Sequence, residues 1–292
     1  MSLRVVIVTR IPPVLEGFDA VVRAGGHEPV ALLTMRNSDG RYGPISQTDE
    51  LVMGAAPELD VLLPARRGTI APLLASVEPD LVVCMGFPWR IPPDALAVPR
   101  LGWLNGHPSL LPRHRGPMPI AWAIRAGEDE IGVTFHLMDA ELDTGPILAQ
   151  RSFPLDGLEQ PDVFYPRFGL TVVDVLGEAL AKLDAGEQGE TQVAEGSYES
   201  FFTADEAWLD LSRPAAEVHS MVWSWLYAVS LGTRGALLEL DGEPVRVLES
   251  SLTEVDGARE IECGDGPLWV VQTEELSEEE ASRTIAPAPS TR

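Results

Sequence analysis

The sequence predicts an α/β protein: a Rossmann-like, largely parallel sheet with helices on both faces, followed by a small β-rich, barrel-like domain. Three observations carry this prediction. Over residues 1–185, short branched apolar runs alternate with amphipathic segments, the pattern of strand–helix–strand units. Near residue 186 the texture changes to a stretch rich in Gly, Glu and Gln. Beyond it lie strand-like runs separated by Asp241-Gly242 and Gly264-Asp265-Gly266, which are turn signals.

Residues 5–8 are branched and apolar, as in a parallel strand buried on both faces. Residues 14–24 carry apolar positions at helical spacing and stop at Gly25-Gly26. A second strand is expected at 29–33, then a polar loop over 34–50, a short strand at 61–63 and a short helix at 70–76. Strands follow at 80–85, ending before Gly86, and at 102–106. Residues 120–126 read as helix and 132–138 as strand. Residues 162–185 read as one long helix, apolar at Val163, Phe164, Phe168, Leu170, Val173, Leu176 and Leu180. In the second half, 214–227 reads as a helix with Pro214 at its permitted start. Strands are expected at 236–240, 245–248, 260–263 and 268–271. Trp223, Trp225 and Tyr227 alternate along that helix and do not share one stripe, so some are expected to be exposed or to cover a neighbouring domain.

This reading divides the chain into an α/β domain at 1–188, a linker at 189–203, a β-rich domain at 204–277 and a disordered tail at 278–292. The chain has 292 residues and is 45% hydrophobic, which is ordinary for a folded protein. Its 2 cysteines build no disulfide framework, and no cluster has zinc-ligand spacing, so no metal is expected. The apolar run at the N-terminus is too short for a signal peptide or a membrane span, and a cytoplasmic location is expected. The formal net charge is −24, from 21 basic and 45 acidic residues. Lys182 is the single lysine. Residues 1–195 hold 15 basic and 26 acidic residues, and 196–292 hold 6 and 19, so both halves are acidic. Nucleic acid is bound mainly by clustered Lys and Arg, and no such cluster occurs.

The residues able to carry chemistry concentrate between 101 and 145. Asn105 and His107 are two apart where a strand leaves the sheet, so they point to the same side. Carboxyl ends of strands are where open α/β sheets bind ligands. Pro108-Ser109-Leu110-Leu111-Pro112 forces a rigid turn, and Arg113-His114-Arg115-Gly116 follows it. Further on, Asp139, Glu141 and Asp143 precede Thr144-Gly145. Taken bare, a strand-end histidine is also read as a satisfied polar residue, and His114, His136 and Cys84 as structural. One Asp-Thr-Gly on an α/β pattern does not make an aspartic protease, which needs two on an all-β frame. No Gly-x-Ser-x-Gly surrounds Ser109, no Gly-rich dinucleotide fingerprint follows the first strand, and no P-loop lysine exists.

The run from Asn105 to Gly116, followed by Pro119-Ile120 and by Leu142-Asp143-Thr144-Gly145, closely resembles the folate-dependent formyltransferases. The resemblance covers roughly residues 1–185, and the β-rich remainder is similar to the C-terminal domain of the tRNA-acting member. It implies 10-formyltetrahydrofolate as formyl donor and Asn105, His107 and Asp143 as catalytic trio. In that reading Asn105 and a protonated His107 stabilise the oxyanion, while Asp143 orients His107 and aids proton removal. The donor would lie between a loop at 85–91, with Met85, Gly86, Phe87, Trp89, Arg90 and Ile91, and a second loop with Asp139 and Glu141. Plain packing is an equal reading of Phe87 and Trp89. Arg10, Ser109 and Arg115 are expected at the acceptor.

The family formylates both tRNA and small amines. A polyanion should meet basic residues in the 34–50 loop and the linker. The loop sets Arg36 and Arg41 against Asp39 and Asp49, and residues 186–200 have no basic residue but carry Glu187, Glu190, Glu195 and Glu199. A small-molecule amine is therefore expected: an amino sugar nucleotide, a hydroxyornithine or another specialised metabolite. Methionyl-tRNA is the alternative, as are a formyltetrahydrofolate hydrolase and a non-catalytic folate-binding protein. A monomer or homodimer is expected.

Overall fold

The computed structural model describes residues 2–36, 45–155, 159–193, 195–228, 235–277 and 280. These fall into two units. The first is formed by the described residues of Met1–Gly116, Ile131–Phe153 and Asp162–Tyr198, and the second by those of Pro117–Glu130, Pro154–Pro161 and Glu199–Arg292.

The first unit is built on a seven-stranded sheet. Its strands are β1 (Arg4–Val8), β2 (Glu28–Leu33), β3 (Asp60–Leu62), β4 (Leu81–Cys84), β5 (Trp103–His107), β6 (Glu130–Leu137) and β7 (Ile147–Pro154), in the order β3-β2-β1-β4-β5-β6-β7. Strands β1 to β5 run parallel, and β6 pairs antiparallel with β5. The branched run of β1 is fully buried from Val5 to Val8, as a central strand covered on both faces must be.

Helices α1 (Pro12–Ala24), α2 (Ile45–Gly54), α3 (Ile70–Ala75) and α4 (Pro93–Leu96) belong to this unit. On one face Val6 and Val8 pack with Ile70, Leu74, Ala95 and Trp103. On the other, Phe18 of α1 meets Phe135 with ring centroids 5.9 Å apart. Gly17 matters there, because a Cβ at this position would lie 2.7 Å from Val173 Cγ1 of the long helix at 161–184.

Strand β7 is absent from the sequence-based expectation. Its residues mix apolar and polar types without strict alternation, and it lies at the end of the sheet order. The expected polar loop at 34–50 is in part helix α2, while residues 37–44 lie outside the described residues.

The second unit contains α5 (Pro119–Arg125), the N-terminal residue of α6 (Pro161–Asp184), α7 (Ala215–Leu226), and an antiparallel sheet of β8 (Ala236–Leu240), β9 (Glu243–Ser251), β10 (Arg259–Cys263) and β11 (Gly266–Glu275). Its strand order is β10-β11-β9-β8.

A single boundary at residue 188 does not describe this organisation. Residues 117–130 belong with the second unit because α5 packs on α7, Trp122 stacking edge-on with Phe202 at 4.8 Å. Residues 189–198, expected within the linker, belong with the first unit because Glu190 and Ile147 exchange backbone hydrogen bonds of 2.8 Å. Of the two alternatives for Trp223, Trp225 and Tyr227, exposure is overturned: all three are buried. Trp225 packs on Phe202 at 4.9 Å, and the Tyr227 hydroxyl donates to the Glu159 carbonyl at 2.6 Å. The tail expected at 278–292 lies, apart from Glu280, outside the described residues.

Candidate active site

The parallel register aligns Val8 with Cys84, and Cys84 with Asn105. Arg10, Gly86 and His107 each stand two residues beyond that row. One edge of the sheet, at its carboxyl ends, thus gathers three of the expected segments, where such sheets hold ligands.

Asn105 and His107 share a face of β5, and across the ladder they pair with His136 and Thr134 of β6. The His136 Nδ1 lies 3.1 Å from the Leu137 carbonyl, so it carries the proton and donates. Its Nε2 is then an acceptor, and the Asn105 Nδ2 donates to it at 3.2 Å. This assigns the orientation of the Asn105 amide. His107 Nε2 donates to the His114 carbonyl at 2.8 Å, which leaves Nδ1 as the second position of that ring. Asp143 Oδ1 lies 3.6 Å from His107 Nδ1 and 3.7 Å from His136 Nε2. Its Oδ2 accepts the Gly116 N–H at 3.0 Å.

The loop between β6 and β7 delivers this carboxylate through two backbone features. Asp143 has φ 56°, in the left-handed region. Gly145 passes so close to the Leu137 carbonyl oxygen that a Cβ would lie 1.8 Å from it. Asp139 Oδ1 closes the loop by accepting from Glu141 N at 3.0 Å and Thr144 Oγ1 at 2.8 Å.

The electrostatics follow from burial. His107 is 5% exposed, and loss of hydration holds its pKa below the usual imidazole value despite the Asp143 charge and the His114 carbonyl, which favour the cation. Burial pushes Asp143 up, but a charged His107 ring and the Gly116 N–H pull the other way and bring the carboxyl to about 2. The pull of His107 on Asp143 is largest with a charged ring, whereas burial favours a neutral one. The ionised state of Asp143 stands on the Gly116 N–H as well. These directions favour a neutral imidazole beside a carboxylate, whereas the resemblance implies a protonated His107 during the reaction. Cys84, buried at the same sheet edge, is pushed up to about 12 and stays a thiol.

The remaining expected contacts divide. Phe87 and Trp89 are half-buried and stack edge-on at 5.8 Å, packed against the core. Gly86 has φ 69°, and a Cβ there would lie 2.6 Å from Ile11 Cδ1. Arg90 Nη2 donates to the Ala140 carbonyl at 2.6 Å and so joins the 85–91 loop to the 139–143 loop. Asp139 and Glu141 are exposed on that second loop. The Met85 and Ile91 side chains are buried, Ile91 within the core cluster that holds Trp103; only their backbones are left to meet a ligand. Ser109 is 2% exposed and its hydroxyl donates to the Arg113 carbonyl at 2.7 Å, so it braces the 108–113 turn and does not face an acceptor. Arg115 Nη2 donates to the Gln192 Oε1 at 2.7 Å. Arg10 is half-buried just beyond β1.

Sequence reasoning missed His136 as a partner of Asn105, although its place opposite Asn105 was detectable once β6 was paired with β5. It also missed Gln192, for which no local signal exists. Among the described residues no group of three or more His, Cys, Asp or Glu could hold a metal ion, and no helix is long and apolar enough to cross a membrane.

A family profile described as formyl transferase matches residues 21–171. The methionyl-tRNA formyltransferase of Halorhodospira halophila (strain DSM 244 / SL1) is 35% identical over 253 residues, covering 85% of this chain and 79% of that protein. Among solved structures, a sugar N-formyltransferase from Shewanella sp FDAARGOS_354 superposes with a TM-score of 0.65 at 22% identity, covering 86% of this chain and 99% of that one. HypX from Aquifex aeolicus in complex with tetrahydrofolic acid gives 0.65 at 20% identity, over 96% of this chain and 45% of that one. At these identities the two structures speak for the fold.

Proposed function

Since the chain belongs to the folate-dependent formyltransferase family, we propose that it moves the formyl group of 10-formyltetrahydrofolate to the amine of a small-molecule acceptor. The observation that carries the chemistry is the Asn105–His107–Asp143 constellation at the carboxyl edge of the sheet.

The donor supplies an electrophilic formyl carbon. The 85–91 loop, with the half-buried Phe87 and Trp89 rings at its tip, and the 139–143 loop tied to it by Arg90 are the segments that would hold the donor. The Asn105 amide donates one hydrogen to His136 and keeps the other for an oxyanion that develops during attack. His107 keeps its Nε2 hydrogen on the His114 carbonyl, so its Nδ1 lone pair can take the proton that the amine loses. Asp143 stabilises the resulting imidazolium. That proton can pass to the nitrogen released when the formyl C–N bond breaks, so none is gained or lost.

A small acceptor is favoured by the state of the cations near the site. Arg90 and Arg115 are bonded within the protein, and residues 189–199 contribute Glu190, Glu195 and Glu199 and no base. Methionyl-tRNA is the second reading, favoured by the names of the sequence relatives. An acceptor screen decides: purified protein with 10-formyltetrahydrofolate and a panel of amino sugar nucleotides, hydroxyornithine and methionyl-tRNA, with tetrahydrofolate release followed by absorbance. Turnover stimulated by a small amine is expected. Stimulation by methionyl-tRNA alone would overturn the acceptor assignment, and equal release with no amine would identify a hydrolase.

A further inference from the structure

Gln192 and Ser197 lie in the stretch expected to be a linker, yet do more than lead from one unit to the next. They bond to the loops that hold both partners of His107. Gln192 Nε2 donates to the carbonyl of Asp143 at 3.0 Å and to that of Gly145 at 2.8 Å, while its Oε1 accepts from Arg115. The catalytic carboxylate is thus gripped by its own backbone on both sides of Thr144. Ser197 acts on the opposite partner: its Oγ accepts the His114 N–H at 2.8 Å and its carbonyl accepts the Arg115 N–H at 3.1 Å. The His114 carbonyl is the group that receives His107 Nε2.

The fit of this segment is close at both ends. Gly189 has φ 80°, and a Cβ on it would lie 2.9 Å from the Ile147 carbonyl oxygen. A Cβ on Gly196 would lie 2.4 Å from the Pro112 carbonyl oxygen and 2.7 Å from Arg115 Cζ. The glycines that make this stretch read as a linker are therefore the residues that let it lie against the site. Asp143 gains from such support, because its left-handed conformation, φ 56°, persists where its surroundings hold it.

We propose that Gln192 and Ser197 brace the catalytic pair and that Gln192 is a positioning residue, setting the distance between Asp143 and His107. It does not touch the reacting atoms; it acts through the backbone of the residue that does, as outer-sphere partners orient catalytic ligands elsewhere. This inference rests on the proposed roles of His107 and Asp143, so its test includes a readout independent of turnover.

Gln192→Ala removes all three bonds, and Gln192→Met keeps the side chain's length without its donors or acceptor. The groups facing the His107 ring are Asp143, His136 and His114. With Asp143 loosened, burial acts on His107 with less opposition, so its imidazole titration, followed by NMR in labelled protein, is expected to move to lower pH in both variants. Exchange of the Gly116 amide hydrogen should quicken. Tetrahydrofolate release from 10-formyltetrahydrofolate, with the best amine of the screen, is expected to lose about 10–100-fold in kcat with donor KM within about twofold. Unchanged His107 titration in folded Gln192→Met overturns the brace, even if turnover falls. A normal kcat does the same. Should His107→Ala keep full turnover, the catalytic reading fails, while the titration still judges the brace.

Discussion

Asn105 and His107 carry different burdens although they share one strand face. In the proposed mechanism Asn105 is the preorganised donor, held by His136, and a lost oxyanion donor costs about 10²–10³ in rate in comparable sites. Asn105→Ala is expected to lose that much kcat with an unchanged melting temperature. Equal kcat in the folded variant would remove Asn105 from the chemistry. His107 must be neutral to accept a proton, and its pKa lies below the usual imidazole value. The rate should therefore hold above about pH 6.5, the ordinary histidine value, and fall as the pH drops through the lower value of the buried ring. Asp143, at about 2, stays ionised throughout and opposes that depression. Asp143→Asn should consequently lower kcat and move the acid limb of kcat/KM to still lower pH. A limb that moves toward neutrality would contradict the pairing. The two strand residues are legible in the sequence because a separation of two on a strand is itself geometry. Asp143 is legible only through the family resemblance, since its placement depends on a hydrogen bond from Gly116, 27 residues earlier in the chain.

Among the elements, the β6–β7 loop decides whether the carboxylate arrives. It turns on Gly145, whose absent side chain leaves room for the Leu137 carbonyl oxygen. Gly145→Ala would put a methyl group 1.8 Å from that oxygen, so the loop must move. Overpacking of this kind costs about 1–3 kcal/mol. The expected outcome is a melting temperature lower by several degrees together with loss of most turnover, and calorimetry alongside the tetrahydrofolate assay checks both. Retained turnover would show that Asp143 reaches His107 without this loop geometry. The strands and helices that hold the loop are largely legible, because branched runs and 3.6-residue periodicity report burial directly. Strand β7 is not, since an edge strand with mixed residues has no period to read. The segment at 190–198 escapes for a related reason: it is polar and acidic, and its structure lies in hydrogen bonds to residues 114–115, 143, 145 and 147, which no local window contains.

At the scale of the whole molecule the charge bears on the acceptor. The chain carries −24, and its acidic excess is spread over both halves. A tRNA-binding surface neutralises phosphates with Lys and Arg and releases counterions, so log K falls steeply with log salt; six to ten phosphate contacts lose about 10³–10⁵ in affinity between 50 and 200 mM salt. This chain has one lysine, and Lys182 donates to the Leu148 carbonyl. Arginines along the chain are met by carboxylates, as in Arg100 with Asp80, Arg151 with Asp174 and Arg213 with Glu217. At physiological salt the Debye length is about 8 Å, so distant acidic groups repel only weakly, and a strong local cationic patch would be needed to bind a polyanion. Glu190 and Glu195, in the stretch whose Gln192 bonds to the Asp143 loop, supply carboxylates instead. Titrating labelled initiator tRNA in a mobility-shift assay at 50 and 200 mM salt should therefore give weak binding with a shallow salt slope. Nanomolar binding that collapses across that range would reverse the acceptor assignment and leave the formyl-transfer chemistry at Asn105, His107 and Asp143 in place.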